Sequence, residues 1–171
     1  MSTSDYYQLM AGYNEWMNSR LYALCAELPD ADLYKDRGAF FKSIYLTLNH
    51  IACGDLAWLS RFTGMPPLGP KIGVDLFRGF VHLRREREAL DARILAWSKS
   101  LTPEWLAEPL TYTSAVDGKV RTVPRWASVT HMFNHQTHHH GQITTLLSQM
   151  GLDIGSTDIP FMPVFEKDTR T

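Results

Sequence analysis

No stretch of this chain carries the excess of basic residues that nucleic-acid binding requires. Lysine and arginine together number 17 against 18 aspartates and glutamates, which gives a formal net charge of −1 over 171 residues. The most charged segment mixes both signs, since Arg84, Arg85 and Arg87 alternate with Glu86 and Glu88. Because neutralised phosphates supply most of the affinity for a nucleic acid, we expect no nucleic-acid partner.

Long apolar runs and cysteines are also scarce. No run approaches the roughly 20 apolar residues that span a bilayer, and residues 1–5 lack the basic-then-apolar pattern of a signal peptide. The two cysteines, Cys25 and Cys53, are too few for a disulfide framework in a chain of this length. These absences predict a reduced, cytoplasmic protein without a membrane partner.

The sequence does contain the composition of an ordinary globular protein. Hydrophobic residues make up 44% and charged residues 20% of the chain, and no internal repeat is present. A chain of this length can bury a full hydrophobic core. We therefore predict one domain over residues 1–171.

Four long segments have the apolar spacing of amphipathic helices, separated by proline, glycine and aspartate. The predicted helices are Ser4–Leu28, Ala39–Phe62, Asp75–Ser100 and Pro124–Gly151. Between the last two, the β-branched segment Leu110–Val123 contains the turn sequence Asp117-Gly118 and predicts a short hairpin. The predicted fold class is all-α, a four-helix bundle with a short β-hairpin between helices three and four.

A cluster of histidines in the fourth helix is the strongest chemical signal. Five of the seven histidines lie within ten residues, namely His131, His135, His138, His139 and His140. Residues 131, 135 and 139 step by four and form a stripe along one helix face. Two imidazoles with this spacing can bind the same metal ion. A solvated, histidine-rich helix face is the alternative.

A helical histidine pair needs a third ligand from another element, and His50 and His82 are the candidates. His82 adjoins the charged segment, which favours a surface position. His50 lies in the apolar middle of the second helix, where a buried imidazole needs partners for both nitrogens. Metal binding through one nitrogen, with the other donating a hydrogen bond, meets that need. We therefore favour His50 as a ligand over a core histidine bonded to a carbonyl.

Three segments resemble the signature motifs of the DinB-like superfamily, which includes the YfiT-like metalloenzymes. The segments are Tyr13-Asn-Glu-Trp-Met-Asn-Ser-Arg-Leu, Leu48-Asn-His-Ile with Asp55 and Trp58, and His131-Met-Phe-Asn-His-Gln-Thr-His-His-His-Gly-Gln-Ile. They fall in order across nearly the whole chain. The resemblance implies a four-helix bundle whose metal ligands map to His50, His135 and His139. His140 departs from the pattern, because arginine is usual at that position.

The other histidines and Cys53 are given lesser roles. His131 lies two four-residue steps before His139 and is expected to lie outside the site. His138 and His140 are expected to be exposed or at the rim. Cys53, one turn after His50, is expected to be a small buried residue and not a ligand.

Polar residues on two helices are expected to support the site. Asn14 and Asn18 share a face of the first helix and are expected to reach into the bundle as hydrogen-bond donors. Asp55 is expected to orient a ligand or bind a buried polar group, with a plain surface carboxylate as the alternative. Trp16 and Trp58 are expected to belong to the core and not to a substrate platform.

Three neutral imidazoles leave the charge of a divalent ion uncompensated and one coordination position open, which is the catalytic pattern. Such an ion binds a thiolate directly or lowers the pKa of bound water. Imidazole suits several metals, so the ligands do not select one. The candidate metal ions are those of zinc, nickel, iron and manganese.

The resemblance implies a metal-dependent thiol transferase that acts in detoxification or stress response. In that reaction a low-molecular-weight thiol, held as thiolate, attacks an electrophilic carbon. The alternatives are a metal-dependent hydrolase and a metal-binding stress protein without turnover. No residue is assigned as catalytic and no organic cofactor is expected. The expected partner is a small-molecule substrate, and the surplus of apolar helix residues favours a homodimer.

Overall fold

The computed structural model describes residues 3–66 and 74–166 of the chain. Its four long helices are α1 (Thr3–Ala26), α3 (Ile44–Thr63), α4 (Phe80–Ser98) and α6 (Arg125–Gln149). The shorter elements are α2 (Asp30–Leu33), α5 (Pro103–Ala107), β1 (Pro109–Thr113) and β2 (Val120–Pro124), followed by two 3₁₀ turns at Ile159–Phe161 and Pro163–Phe165. The four-helix bundle and the hairpin before its last helix are thereby confirmed.

Two helices begin later than the sequence predicts. Residues 39–42 form a tight turn in which the Lys42 amide donates to the Ala39 carbonyl at 2.8 Å and Lys42 has a φ of 66°. Ser43 then caps α3 by accepting from the Leu46 amide at 3.1 Å, which satisfies a free donor of the first turn. Helix α4 starts only after Gly79, whose φ of 85° lies outside the helical region.

The long helices bury two apolar clusters, one toward each end of the bundle. Helix α1 packs against α4 and α6, and α3 packs against α6 and α4. The first cluster is built around Leu21, Leu48, Leu83 and Ile143, and the second around Leu59, Leu90, Ile94 and Met132. Each of the four long helices contributes to both clusters. Burial of these faces supplies the main driving force for folding.

A layer of buried polar side chains lies between the two clusters and joins all four long helices. Arg87 forms ion pairs with Asp55, which lies 2.5 Å from Nη1, and with Asp91, which lies 2.8 Å from Nη2. Gln136 donates to Asp55 at 2.8 Å, and Asn18 donates to Asp91 at 2.9 Å. Burial raises the pKa of Asp55 to about 7 and that of Asp91 to about 6, against the lowering effect of Arg87. We call these five residues the polar layer.

The hairpin packs on the start of α6 and reaches the side of α3. Its strands are antiparallel, with Thr111 opposite Thr122 and Tyr112 opposite Arg121. Tyr112 lies edge-on to Trp58 of α3, with ring centroids 5.1 Å apart. In the described part of the chain, no helix has both the length and the apolar character to cross a bilayer.

Candidate metal centre

Helices α3 and α6 bring three histidines together inside the bundle. His50 comes from α3, and His135 and His139 follow one another by one turn on α6. His135 Nε2 lies 2.9 Å from His50 Nε2 and 3.1 Å from His139 Nε2. Among the described residues, this is the one group of three or more histidine, cysteine or acidic side chains placed to hold a metal ion.

The spacing of the three ring nitrogens fits a metal ion. A tetrahedral zinc ion about 2.0 Å from each imidazole nitrogen would place the nitrogens about 3.3 Å apart, close to the observed separations. A neutral imidazole carries a single N–H, so three nitrogens that converge on one point leave unshared lone pairs facing each other. A divalent cation accepts these lone pairs and so removes their mutual repulsion, and the site can therefore bind a metal.

The protein environment keeps these imidazoles neutral. Burial and the neighbouring His139 lower the pKa of His50 to about 4. Burial and the surrounding histidines lower the pKa of His135 to about 3. Burial also lowers the pKa of His139. Metal ligands must be deprotonated, so at neutral pH no proton has to leave these rings before a metal binds.

Gln142 holds His139 in the tautomer that suits coordination. His139 Nδ1 donates to Gln142 Oε1 at 2.8 Å, which leaves the lone pair on Nε2 pointing to the centre of the cluster. Gln142 in turn contacts His138 Nε2 at 3.2 Å through its amide nitrogen. His135 Nδ1 is buried and has no hydrogen-bond partner among the described residues.

Phe41 covers one side of the cluster with an apolar ring. It stacks on His50 with ring centroids 3.9 Å apart and an interplanar angle of 21°, and lies edge-on to His139 at 5.5 Å. The tight turn at residues 39–42 presents this ring. A low-dielectric wall beside a cation strengthens its electrostatic attraction for an anionic ligand.

Gly54 lets α3 approach the ring of His135 closely. A Cβ at this position would lie 3.0 Å from His135 Cε1, which is tighter than normal packing allows. Glycine inside a helix costs about 0.5–1 kcal/mol relative to alanine. The chain therefore gives up helix stability at the point where His135 needs space.

Gly54→Ala should lower metal affinity while it leaves the metal-free protein equally or more stable. The added methyl group pushes the His135 ring by a few tenths of an ångström, and a comparable disturbance of ligand orientation elsewhere costs about 10–100-fold in affinity. Chelator competition and thermal unfolding measure the two effects. Gly141→Ala is the matched control, because it also replaces a glycine of a long helix but its Cβ would meet no atom within 4 Å. Equal metal affinity in both variants would contradict this role for Gly54.

The structure confirms the expected positions of His131 and His138 and contradicts the expected position of His140. His131 lies outside the three-histidine cluster, and His138 is exposed, as expected. The expectation that His140 is exposed or at the rim is wrong, since it is only 2% exposed and its Nε2 donates to Asn18 Oδ1 at 2.9 Å. Helix α1 packs over that face of α6, so the position lies under α1.

The residues expected to support the site, Asn14, Asn18 and Asp55, contact the polar layer or belong to it. Asn18 binds Asp91 and His140, and Asn14 reaches Asp91 at 3.5 Å, the outer limit of a hydrogen bond. Asp55 is fully buried on Arg87 and Gln136, so the surface alternative is excluded. Two residues of α3 outside this layer are half-buried, Cys53 and Trp58, and the Trp58 ring lies against that of His131. His82 of α4 contacts Glu86 near the surface of the bundle.

Sequence reasoning missed several contributors to the site, among them Gln142, the hydrogen-bond partner of His139 Nδ1. Phe41 sits in a turn whose conformation no periodic pattern encodes. Gly54 lies one turn after His50, and a glycine inside a helix is a signal of close approach. Arg87 is 1% exposed, and its position on the apolar stripe with Leu83 and Leu90 could have predicted burial despite its charge.

Comparison with known proteins matches most of this chain to a protein family and to a bacterial relative. A family model described as the DinB family matches residues 1–169. Protein DinB of Bacillus subtilis (strain 168) is 27% identical over 167 residues, which cover 91% of this chain and 92% of that protein.

Proposed function

This chain belongs to the DinB family, and on that premise we propose that it is a metal-dependent thiol transferase of detoxification or stress response. The observation that carries the proposal is the convergence of three neutral imidazoles, His50, His135 and His139, on one point beside an apolar ring. Three protein ligands are the number found in catalytic zinc sites, which keep a position open for substrate.

The donor set suits a nucleophile that carries negative charge. The cluster found in the described residues consists of histidines alone, so no ligand carboxylate neutralises the charge of a divalent ion. When bound, such an ion, which we take to be zinc, nickel, iron or manganese, would stabilise the thiolate of a low-molecular-weight thiol whose proton passes to solvent. The thiolate would form a carbon–sulfur bond with an electrophilic carbon and displace an anionic leaving group, such as chloride from a chloroarene.

The surrounding residues prepare the site in distinct ways. Gln142 accepts the Nδ1 proton of His139 and so fixes the direction of its lone pair. Phe41 shields the His50 ring from water on one side. Gly54 leaves room for the His135 ring at its position between the other two. Orientation of this kind, held before the substrate arrives, is what lowers a catalytic barrier.

Metal analysis followed by two chromogenic assays tests the proposal. We expect about one divalent ion per chain and thiol-dependent conjugation of 1-chloro-2,4-dinitrobenzene with at least one of glutathione, cysteine and coenzyme A. The His135→Ala variant should lose that activity, and His82→Ala should keep it. Cleavage of p-nitrophenyl acetate without any thiol would favour the alternative, a metal-dependent hydrolase. Metal binding with neither activity would favour a stress protein without turnover.

Location and assembly are part of the same proposal. We propose a cytoplasmic protein that acts on a small molecule as a homodimer. The exposed apolar residues Phe161, Val164 and Phe165 near the end of the described chain support self-association, because such side chains favour contact with a second copy. Sedimentation as a monomer at micromolar concentration would reject the dimer.

A further inference from the structure

Arg61, in the last turn of α3, is half-buried but lacks an oxygen partner among the described residues. The described arginines that are buried or half-buried are Arg20, Arg37, Arg61, Arg84, Arg87, Arg121 and Arg125. All the others contact a carboxylate or a backbone carbonyl oxygen. Burial lowers the pKa of Arg61, since no neighbouring carboxylate offsets the lost hydration.

Two aromatic rings hold the Arg61 guanidinium, and no oxygen of the described residues occupies its donors. Its Cζ lies 4.7 Å from the ring centroid of Trp58 and 5.1 Å from that of Tyr112. A guanidinium stacked on an aromatic face keeps its in-plane N–H groups available as a planar fork, the shape that binds a carboxylate through both oxygens. Arg121 lies opposite Tyr112 but is neutralised by Asp117 at 2.8 Å, so among the described residues around Tyr112 the unpaired charge is that of Arg61.

This cation lies on the same face of α3 as the metal centre. His50, Gly54, Trp58 and Arg61 follow a helical spacing of four, four and three residues. Across from them on α6, the ring centroid of His131 lies 5.2 Å from Trp58 and 5.9 Å from His135. The axial rise from Gly54 to Arg61 is about 10 Å. An aromatic row therefore leads from the three-histidine cluster to the guanidinium.

We propose that this row is a ligand groove in which Arg61 binds the carboxylate of an elongated small molecule whose other end reaches the three-histidine centre. A singly charged carboxylate matches the single charge of Arg61. The aromatic edges of Trp58 and His131 provide contact for the carbon chain between the two ends, since the guanidinium already covers a face of Trp58 and of Tyr112. The inference rests on the proposed function only in placing the far end of the ligand at a metal.

Linear dicarboxylates of increasing length test whether the groove binds a ligand and how long that ligand must be, and they require no thiol chemistry. Zinc-loaded protein is titrated by calorimetry with diacids from succinate to dodecanedioate, each paired with its monomethyl ester. One carboxylate can bind the zinc ion and the other Arg61. We expect diacids above a threshold length to bind at least about tenfold more tightly than their monoesters. The tenfold advantage should disappear in Arg61→Gln and persist in part in Arg61→Lys, which keeps the charge without the fork.

Two further variants separate the groove from the metal centre. Arg93→Gln, which removes an exposed arginine of α4, should retain the full diacid advantage. His135→Ala should abolish the length threshold but leave weak binding that still depends on Arg61. If the wild type and Arg61→Gln show the same diacid-to-monoester ratio at every length, the groove is rejected, even where the thiol reaction proceeds. An Arg61-dependent diacid advantage without thiol conjugation would instead reject the transferase and keep the groove.

Discussion

Replacing His135 with alanine should reduce zinc affinity by more than about 100-fold, because loss of an outer hydrogen-bond partner alone costs about 10–100-fold. His135 Nε2 lies 2.9 Å from His50 Nε2 and 3.1 Å from His139 Nε2. Its removal leaves two donors on different helices, a weak site for any divalent ion. Competition with a chromogenic chelator measures the affinity.

Thermal unfolding provides a second readout of the same change. Zinc at about 1,000 times its dissociation constant should stabilise the wild type by about 4 kcal/mol, since it binds only the folded state. The His135→Ala variant should gain nothing at that concentration, whereas His82→Ala should behave as the wild type. His82 lies at the rim, where it contacts Glu86 and the Arg78 amide. Full zinc-induced stabilisation of His135→Ala would remove His135 from the site.

Arg87→Met should destabilise the fold by about 3–5 kcal/mol at neutral pH, the usual cost of removing one partner from a buried ion pair. Asp55 and Asp91 would remain in the polar layer with no cation to balance them. Burial already raises the pKa of both carboxyls above that of an exposed aspartate, and loss of Arg87 removes the charge that opposes this shift.

The pH dependence of Arg87→Met follows from the same shift. A carboxyl whose pKa is higher in the folded state than in the unfolded state binds more protons when folded, so folding is favoured at low pH. Between about pH 4, where unfolded aspartates titrate, and the raised pKa of the folded state, the contribution of these two carboxyls to stability should fall as pH rises. The deficit relative to the wild type should therefore be larger at pH 8 than at pH 5, as denaturant unfolding at both values would show.

Arg84→Met is the matched control for that experiment. Arg84 pairs with Glu88 on the same helix but is partly exposed, and such a pair contributes about 1 kcal/mol or less. A loss below about 1 kcal/mol for Arg87→Met, or a deficit relative to the wild type that is no larger at pH 8 than at pH 5, would show that the buried ion pairs do not support the fold.

The helices were predictable from the sequence because their apolar residues repeat with the period of the helix. The boundaries near Ala39 and Asp75 were not, since they depend on backbone conformations at Lys42 and Gly79 that periodicity does not encode. The hairpin was predictable from its β-branched residues and the Asp117-Gly118 turn. Local pattern therefore identified the four long helices and the hairpin but not the short helices α2 and α5, and single residues with positive φ decided where two of the long helices begin.

The candidate site was predictable in part for a similar reason. The four-residue step from His135 to His139 is local and visible in the sequence, and the apolar setting of His50 marked it as unusual. The burial of His140 was not visible, because it depends on which face of α6 is covered by α1. The ring of Phe41 was missed because its contact with His50 depends on how a turn folds back onto α3.

The polar layer also limits how the helices can slide along one another. Moving one helix by a single turn, about 5.4 Å, would place Arg87 or Asp55 against leucines and leave a charge without its partner. Buried polar contacts of this kind set register between packed helices in other assemblies. Here the Asp55–Gln136 bond ties α3 to α6 within two turns of His50 and beside His135. The relative height of the ligand-bearing helices is therefore specified by the fold before any metal arrives.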